Sequence, residues 1–137
     1  MILSRNLERF IGHEFEIYTY TIEQSKVNEL VAVLNPNSTV ERGNEYVPVT
    51  FPTVIEFWGS PISIAKELQL DLKKVLHGEQ EYEYIKEFAV GDEITVASAI
   101  ENVYEKASMS FIVINKKFIN QKDELVAIGK TTIIERF

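Results

Sequence analysis

Two histidines, a ladder of glutamates and one proline-interrupted loop are the places where residue types in this chain could do chemistry. There is no cysteine, so thiolate catalysis and disulfides are excluded. His13 follows Gly12 at the mouth of a strand-forming stretch, with no second ligand or nucleophile beside it in sequence. It reads as a solvated turn histidine. His77 lies in Leu-His-Gly-Glu-Gln, ahead of an alternating strand, and reads either as a loop histidine bonded to backbone or as a catalytic candidate. Glu79, Glu81 and Glu83 alternate with Gln80, Tyr82 and Tyr84, which makes one face acidic and the other aromatic. A divalent cation needs converging oxygens, whereas side chains two apart on a strand diverge by about 7 Å. The ladder therefore reads as a solvated sheet face, and no metal site is expected. Glu56 is the one carboxylate inside the most apolar segment, and on a helix it is expected to be exposed.

These residues must be positioned by elements that composition already bounds. The chain has 137 residues and a formal net charge of −7. That length suits one domain, 1–137, with a core large enough to need no metal or disulfide. The acidic balance argues against nucleic acid, which wants a basic footprint. Arg5, Glu8 and Arg9 interrupt any N-terminal apolar run of signal-peptide type, and no stretch of about 20 apolar residues could span a membrane. A soluble cytoplasmic protein is expected.

Residues 1–10 predict a short helix, and 14–22 a strand. Thr21-Ile-Glu-Gln24 has the form of a capping box, opening a helix through Leu34 with Val27, Leu30, Val31 and Leu34 on one face. Asn35-Pro36 stops it. Residues 47–68 crowd Phe51, Val54, Ile55, Phe57 and Trp58 around nearly every side, so a helix there is a buried one. Pro52 suits its first turn; Gly59-Ser60-Pro61 bends or restarts it, with Ser60 as a cap for a second helix. Residues 71–75 are a polar link with room for one helical turn. Four strands follow, at 79–84, 93–104, 108–120 and 125–137, with turns at Gly91-Asp92, Glu105-Lys106 and 121–124. Short turns make consecutive strands antiparallel, and a sheet packed on a helix is an α+β design.

The order strand, capped helix, Asn-Pro break, apolar helix, His-Gly, acidic-aromatic strand and Gly-Asp turn resembles the hotdog fold. More narrowly it resembles the N-terminal-type domain of MaoC-like dehydratases, the family of (R)-specific enoyl-thioester hydratases and 3-hydroxyacyl dehydratases. The stretches that carry the resemblance are 21–34, 48–58, 76–84 and 88–94, and it covers nearly the whole chain. It implies a curved antiparallel sheet wrapped around a central helix, in a dimer or with a hotdog partner subunit. It also implies an acyl thioester of coenzyme A or acyl carrier protein as ligand, entering beside the helix, and no cofactor.

Hydrating an enoyl thioester needs a base for water, an acid for the neighbouring carbon and a donor for the enolate oxygen. Active members of the resembled family supply Asp and His in the pattern Asp-x-Asn-Pro-x-His. Here Asn35-Pro36 stands, but Val33 occupies the Asp place and Ser38 the His place. Valine cannot exchange a proton, so the dyad is absent by this comparison. No catalytic residue is assigned, and His77 remains a candidate. Pro48, Thr50, Phe51, Trp58, His77 and Gly78 are the candidate substrate-binding residues, although core packing explains Phe51 and Trp58 equally well. Two function classes follow. The chain is the non-catalytic, acyl-binding subunit of a heteromeric dehydratase of fatty acid metabolism. Alternatively it is a homodimeric enzyme with a divergent site, hydratase or thioesterase, or a hotdog scaffold without activity.

Overall fold

Strand-forming alternation dominates the C-terminal half of the chain, and in the computed structural model it becomes a single five-stranded sheet. The structure describes residues 7–34, 47–48, 50–59 and 64–136, with the side chains of Leu34, Phe57, Trp58 and Ala65 excepted. A 3₁₀ turn at Leu7–Phe10 leads to β1 (Tyr18–Thr21), α1 (Gln24–Leu34), α2 (Phe51–Gly59) and α3 (Ile64–Glu67). A second 3₁₀ turn, Leu72–Lys74, precedes β2 (Val75–Tyr84), β3 (Glu93–Lys106), β4 (Met109–Ile119) and β5 (Leu125–Arg136). The strand order is β1-β3-β4-β5-β2, antiparallel throughout, so β1 and β2 are the edges. Register shifts interrupt β2 between His77 and Glu79, β3 between Ile100 and Asn102, and β4 between Phe118 and Ile119. Such bulges bend strands and increase local twist, which lets the sheet curve.

The central helix is α2. Pro52 stands in its first turn, where a missing N–H costs nothing, and Phe51 N–H donates to the Pro48 carbonyl at 3.0 Å. Phe51 and Ile55 are buried one turn apart, in a cluster with Ile94, Val96, Phe118 and Val126 of the sheet. Val27 of α1 joins the same cluster, with Leu30 and Val31 packed against it. A second cluster gathers Leu7, Phe15, Leu68, Ile100, Val103, Ile112 and Ile114. The core is thus two apolar clusters laid along one sheet.

Several elements differ from the sequence reading. Thr21 is not a helix cap: it pairs with Glu93 in the sheet, and the first helical N–H groups bond to the Glu23 carbonyl, Val27 at 3.2 Å. The bonds of the next residue hold the strand there: Ile22 N–H donates to the Asp92 carbonyl at 2.9 Å and the Ile22 carbonyl accepts from Gly91 N–H at 2.8 Å. The first strand is shorter than 14–22, with Glu14 making only an isolated bridge to Ala99. β2 starts four residues earlier than read, so His77 and Gly78 belong to the strand rather than to a preceding loop. The β3–β4 turn falls at Ala107-Ser108, with φ of 53° and 61°, rather than at Glu105-Lys106. Asp71 caps the Leu72–Lys74 turn by accepting from Lys73 N–H at 3.1 Å. The Asn-Pro break, the Ser60-Pro61 restart and Ser38 lie outside the described residues.

Candidate functional site

Strand parity decides what meets α2. On β4, Ser110, Ile112, Ile114, Lys116 and Phe118 alternate onto one face, and all five are buried. Lys116 therefore projects to the helix side, between Ile114 of one apolar cluster and Phe118 of the other. A lone ammonium there is costly unless paired, and its partner is Glu56 of α2. The side chains of Lys116 and Glu56 are only 9% and 14% exposed.

The Glu56 carboxylate is engaged at both oxygens. Lys116 Nζ donates to Oε1 and the Tyr82 hydroxyl donates to Oε2. Thr53 Oγ1, one turn before Glu56 on α2, lies 3.3 Å from the Tyr82 oxygen and supplies its proton there. Tyr82 reaches this position from β2 because Gly129 opposes it in the register; a Cβ at Gly129 would meet Tyr82 Cε1 at 3.0 Å. Burial, then the hydrogen bond to Glu56 and its charge, push the Tyr82 phenol above its ordinary value. Burial first, and the Glu56 charge second, do the same to Tyr18. Both phenols stay neutral donors at physiological pH.

These groups border a cavity of about 260 Å³ lined by Phe15, Tyr18, Thr53, Glu56, Ile64 and Lys116, with Glu16, His77, Gln80 and Ser98. Exposed Glu16, Thr53, His77 and Gln80 make its rim, Phe15, Tyr18 and Ile64 its walls, and the shielded Lys116–Glu56 pair its floor. His77 Nε2 lies 3.2 Å from Gln80 Oε1, which also accepts from Thr131 Oγ1 at 3.0 Å. His77 is thus held at the mouth rather than aimed at Glu56. Each Glu56 oxygen accepts one hydrogen bond, from Lys116 or from Tyr82, and keeps a further acceptor position.

Of the residues singled out from sequence, His77 and Glu56 line this cavity. Phe51 is buried in the core, 6.3 Å ring to ring from Tyr20, while Pro48 is buried and Thr50 exposed at the entry to α2. Gly78 sits at the β2 bulge, where a Cβ would meet Ile134 Cδ1 at 2.8 Å. Trp58 is on α2, with its side chain outside the described residues. Val33, which the resemblance sets at the Asp place, is 77% exposed. His13 is tied by Nε2 to Glu67 Oε1 at 3.0 Å, away from the cavity. Glu56, expected to be exposed, is largely shielded, with its side chain 14% exposed, because it falls one turn after the buried Pro52 on α2. Lys116 was missed, and its signal was available: it shares the parity of Ile112, Ile114 and Phe118. Among the described residues no group of three or more His, Asp or Glu could hold a metal ion, and no helix is long and apolar enough to cross a membrane.

Residues 9–128 match the model of the FAS1-like, dehydratase domain region family. A UPF0336 protein of Thermobifida fusca is 26% identical over 139 residues, covering 93% of this chain and 91% of the relative. The truncated HadBC (3R-hydroxyacyl-ACP dehydratase) complex of Mycobacterium tuberculosis contains a chain superposing with a TM-score of 0.68 at 16% identity, over 91% of this chain and 96% of that one. The (R)-hydratase of A. caviae superposes with a TM-score of 0.64 at 14% identity, over 98% and 100%. A MaoC-like dehydratase of Phytophthora capsici reaches 0.73 at 18% identity, over 94% of this chain and 49% of its own. The shared architecture is the hotdog fold, a curved antiparallel sheet with one central helix.

Proposed function

The chain belongs to the FAS1-like, dehydratase domain region family, and from that premise we propose that it is an acyl-thioester-binding subunit that does not itself transfer protons. In this reading it works beside a second hotdog subunit bearing Asp and His, as half of a (3R)-hydroxyacyl dehydratase or enoyl-thioester hydratase of cytoplasmic fatty acid metabolism. The observation that carries it is the engagement of the cavity's most shielded carboxylate: Glu56 accepts from Lys116 at one oxygen and from Tyr82 at the other, while the resemblance puts Val33 at the dyad's Asp place. Valine cannot exchange a proton, and Glu56 is engaged by an ammonium and a phenol, with no histidine among the described residues bonded to it. The naming of HadBC as a dehydratase complex supports a two-subunit arrangement. So does the position of β2, which is an edge strand among the described residues and is ten residues long with Leu76 and Tyr84 exposed. A partner strand added there would border His77 and Gln80 at the cavity rim.

The test is hydration of a crotonyl thioester by the purified chain, alone and with a hotdog subunit carrying the intact Asp-x-Asn-Pro-x-His pattern. The chain alone is inactive and the pair is active. A robust rate from the chain alone, abolished by His77→Ala, overturns the reading. A second reading rests on Glu56, a helix carboxylate bordering a cavity, as expected of a divergent thioesterase. Release of free coenzyme A from acyl-coenzyme A by the chain alone, lost in Glu56→Gln, would establish it instead.

A further inference from the structure

We propose that the Glu56–Lys116 pair makes this cavity selective for acyl groups whose buried end carries a hydroxyl, and that it excludes plain hydrocarbon ends. The inference rests on the acyl-binding reading above and goes beyond it, to the kind of chain accepted.

Three observations converge. The cavity is small: about 260 Å³, against roughly 300–1,000 Å³ for sites that enclose a whole drug-sized ligand. It therefore takes only a short chain. Its rim residues are polar and its walls, Phe15, Tyr18 and Ile64, are apolar, so the stem of such a chain is well accommodated. Its floor is not apolar. Lys116 and Glu56 both border the cavity while lying between the two hydrophobic clusters of the core.

The bonding capacity of that floor is incompletely used. An ammonium has three donors, and Lys116 directs one to Glu56. An ionised carboxylate has about four acceptor positions, and Glu56 uses two, for Lys116 and Tyr82. In a cavity open to solvent the remaining positions are accessible to water. A terminal methyl would expel that water and return nothing, which is the costly way to bury a polar group. A terminal hydroxyl donates to Glu56 and accepts from Lys116, replacing both bonds at once. It keeps the pair neutral overall, whereas a terminal carboxylate or ammonium would add an unpaired charge.

The experiment is calorimetric titration of the full chain with matched coenzyme A thioesters of equal short chain length, one ending in methyl and one in a primary hydroxyl. The wild type binds the hydroxyl-ended thioester about 10- to 100-fold more tightly, the range for a hydrogen bond to a charged group. The double variant Glu56→Met/Lys116→Met, which keeps the core apolar and filled, reverses the order. Equal binding, or tighter binding of the methyl-ended thioester by wild type, overturns the selectivity and leaves the acyl-binding reading standing. Binding of neither thioester overturns both. A preference for the hydroxyl end that survives in the double variant assigns the selectivity to other residues and overturns this one.

Discussion

Replacing Lys116 by methionine removes the ammonium while keeping most of the stem that packs between Ile114 and Phe118. What remains is a Glu56 carboxylate that is 14% exposed, with only the Tyr82 hydroxyl beside it. An exposed ion pair would lose about 0.2–1 kcal/mol on such a change. Breaking a buried pair by removing one partner costs about 3–5 kcal/mol, because the survivor is a buried charge without compensation. With the Lys116 side chain 9% exposed, the buried case applies. Urea unfolding should show a loss of about 3 kcal/mol, a midpoint shift of about 1–2 M at ordinary slopes. Glu56→Met should lose a similar amount, since it strands Lys116 instead. The double variant should lie within about 1 kcal/mol of wild type, because replacing both partners by apolar groups of similar volume is close to neutral. Tyr82 then keeps Thr53, 3.3 Å away, as its partner. The coupling energy is therefore several kcal/mol. Single variants that lose less than about 0.5 kcal/mol, or a double variant that loses the sum of the singles, would refute the reasoning.

Three further outcomes follow from the geometry. Tyr18 and Tyr82 have folded-state pKa values raised above the ordinary phenol value of 10.0. Their contribution is complete below that value and is lost as pH rises above it, since the unfolded chain releases those protons first. Denaturant midpoints should hold steady up to about pH 10 and fall above it, and absorbance at alkaline pH should show two phenols ionising only with unfolding; both ionising in the native state would count against their burial. At the β3–β4 turn two non-glycine residues, Ala107 and Ser108, both have positive φ, so Ala107→Asn with Ser108→Gly should raise stability by about 1 kcal/mol in the same unfolding assay. Gly78→Ala would put a Cβ 2.8 Å from Ile134 Cδ1 and 3.3 Å from the Thr132 carbonyl, lowering stability by about 1–3 kcal/mol, and a neutral result would show that the bulge relaxes freely.

Much of the fold was legible because its signals are local. Alternation over residues 93–136 marks strands whatever they pair with, and Gly91 and the polar run 121–124 mark two of the turns between them. The α1 face of Val27, Leu30 and Val31 is a period set by one helix alone. The errors came where a tertiary bond outvoted a local preference. Thr21 has the side chain of a cap but stays in register opposite Glu93, held by the neighbouring bond from Ile22 N–H to the Asp92 carbonyl. His77-Gly78 looks like a loop but is kept in β2 by pairing with β5 across a bulge. Ala107-Ser108 contains no turn-forming glycine, yet the register of β3 and β4 places the reversal there.

The site divides differently. From the residues alone came the resemblance to a dehydratase fold, the buried central helix, and the expectation that a valine takes the place of a proton-transferring Asp. Those are properties of side-chain type and order, and they need no coordinates. Glu56 and Lys116, 60 positions apart, are another matter. Each alone is an ordinary charged residue on an amphipathic element. Only the packing of α2 on β4, with β2 delivering Tyr82 over Gly129, brings them together and takes them out of water. Burial and convergence are properties of the assembled sheet and helix, so the chemistry of the cavity floor was decided by tertiary structure.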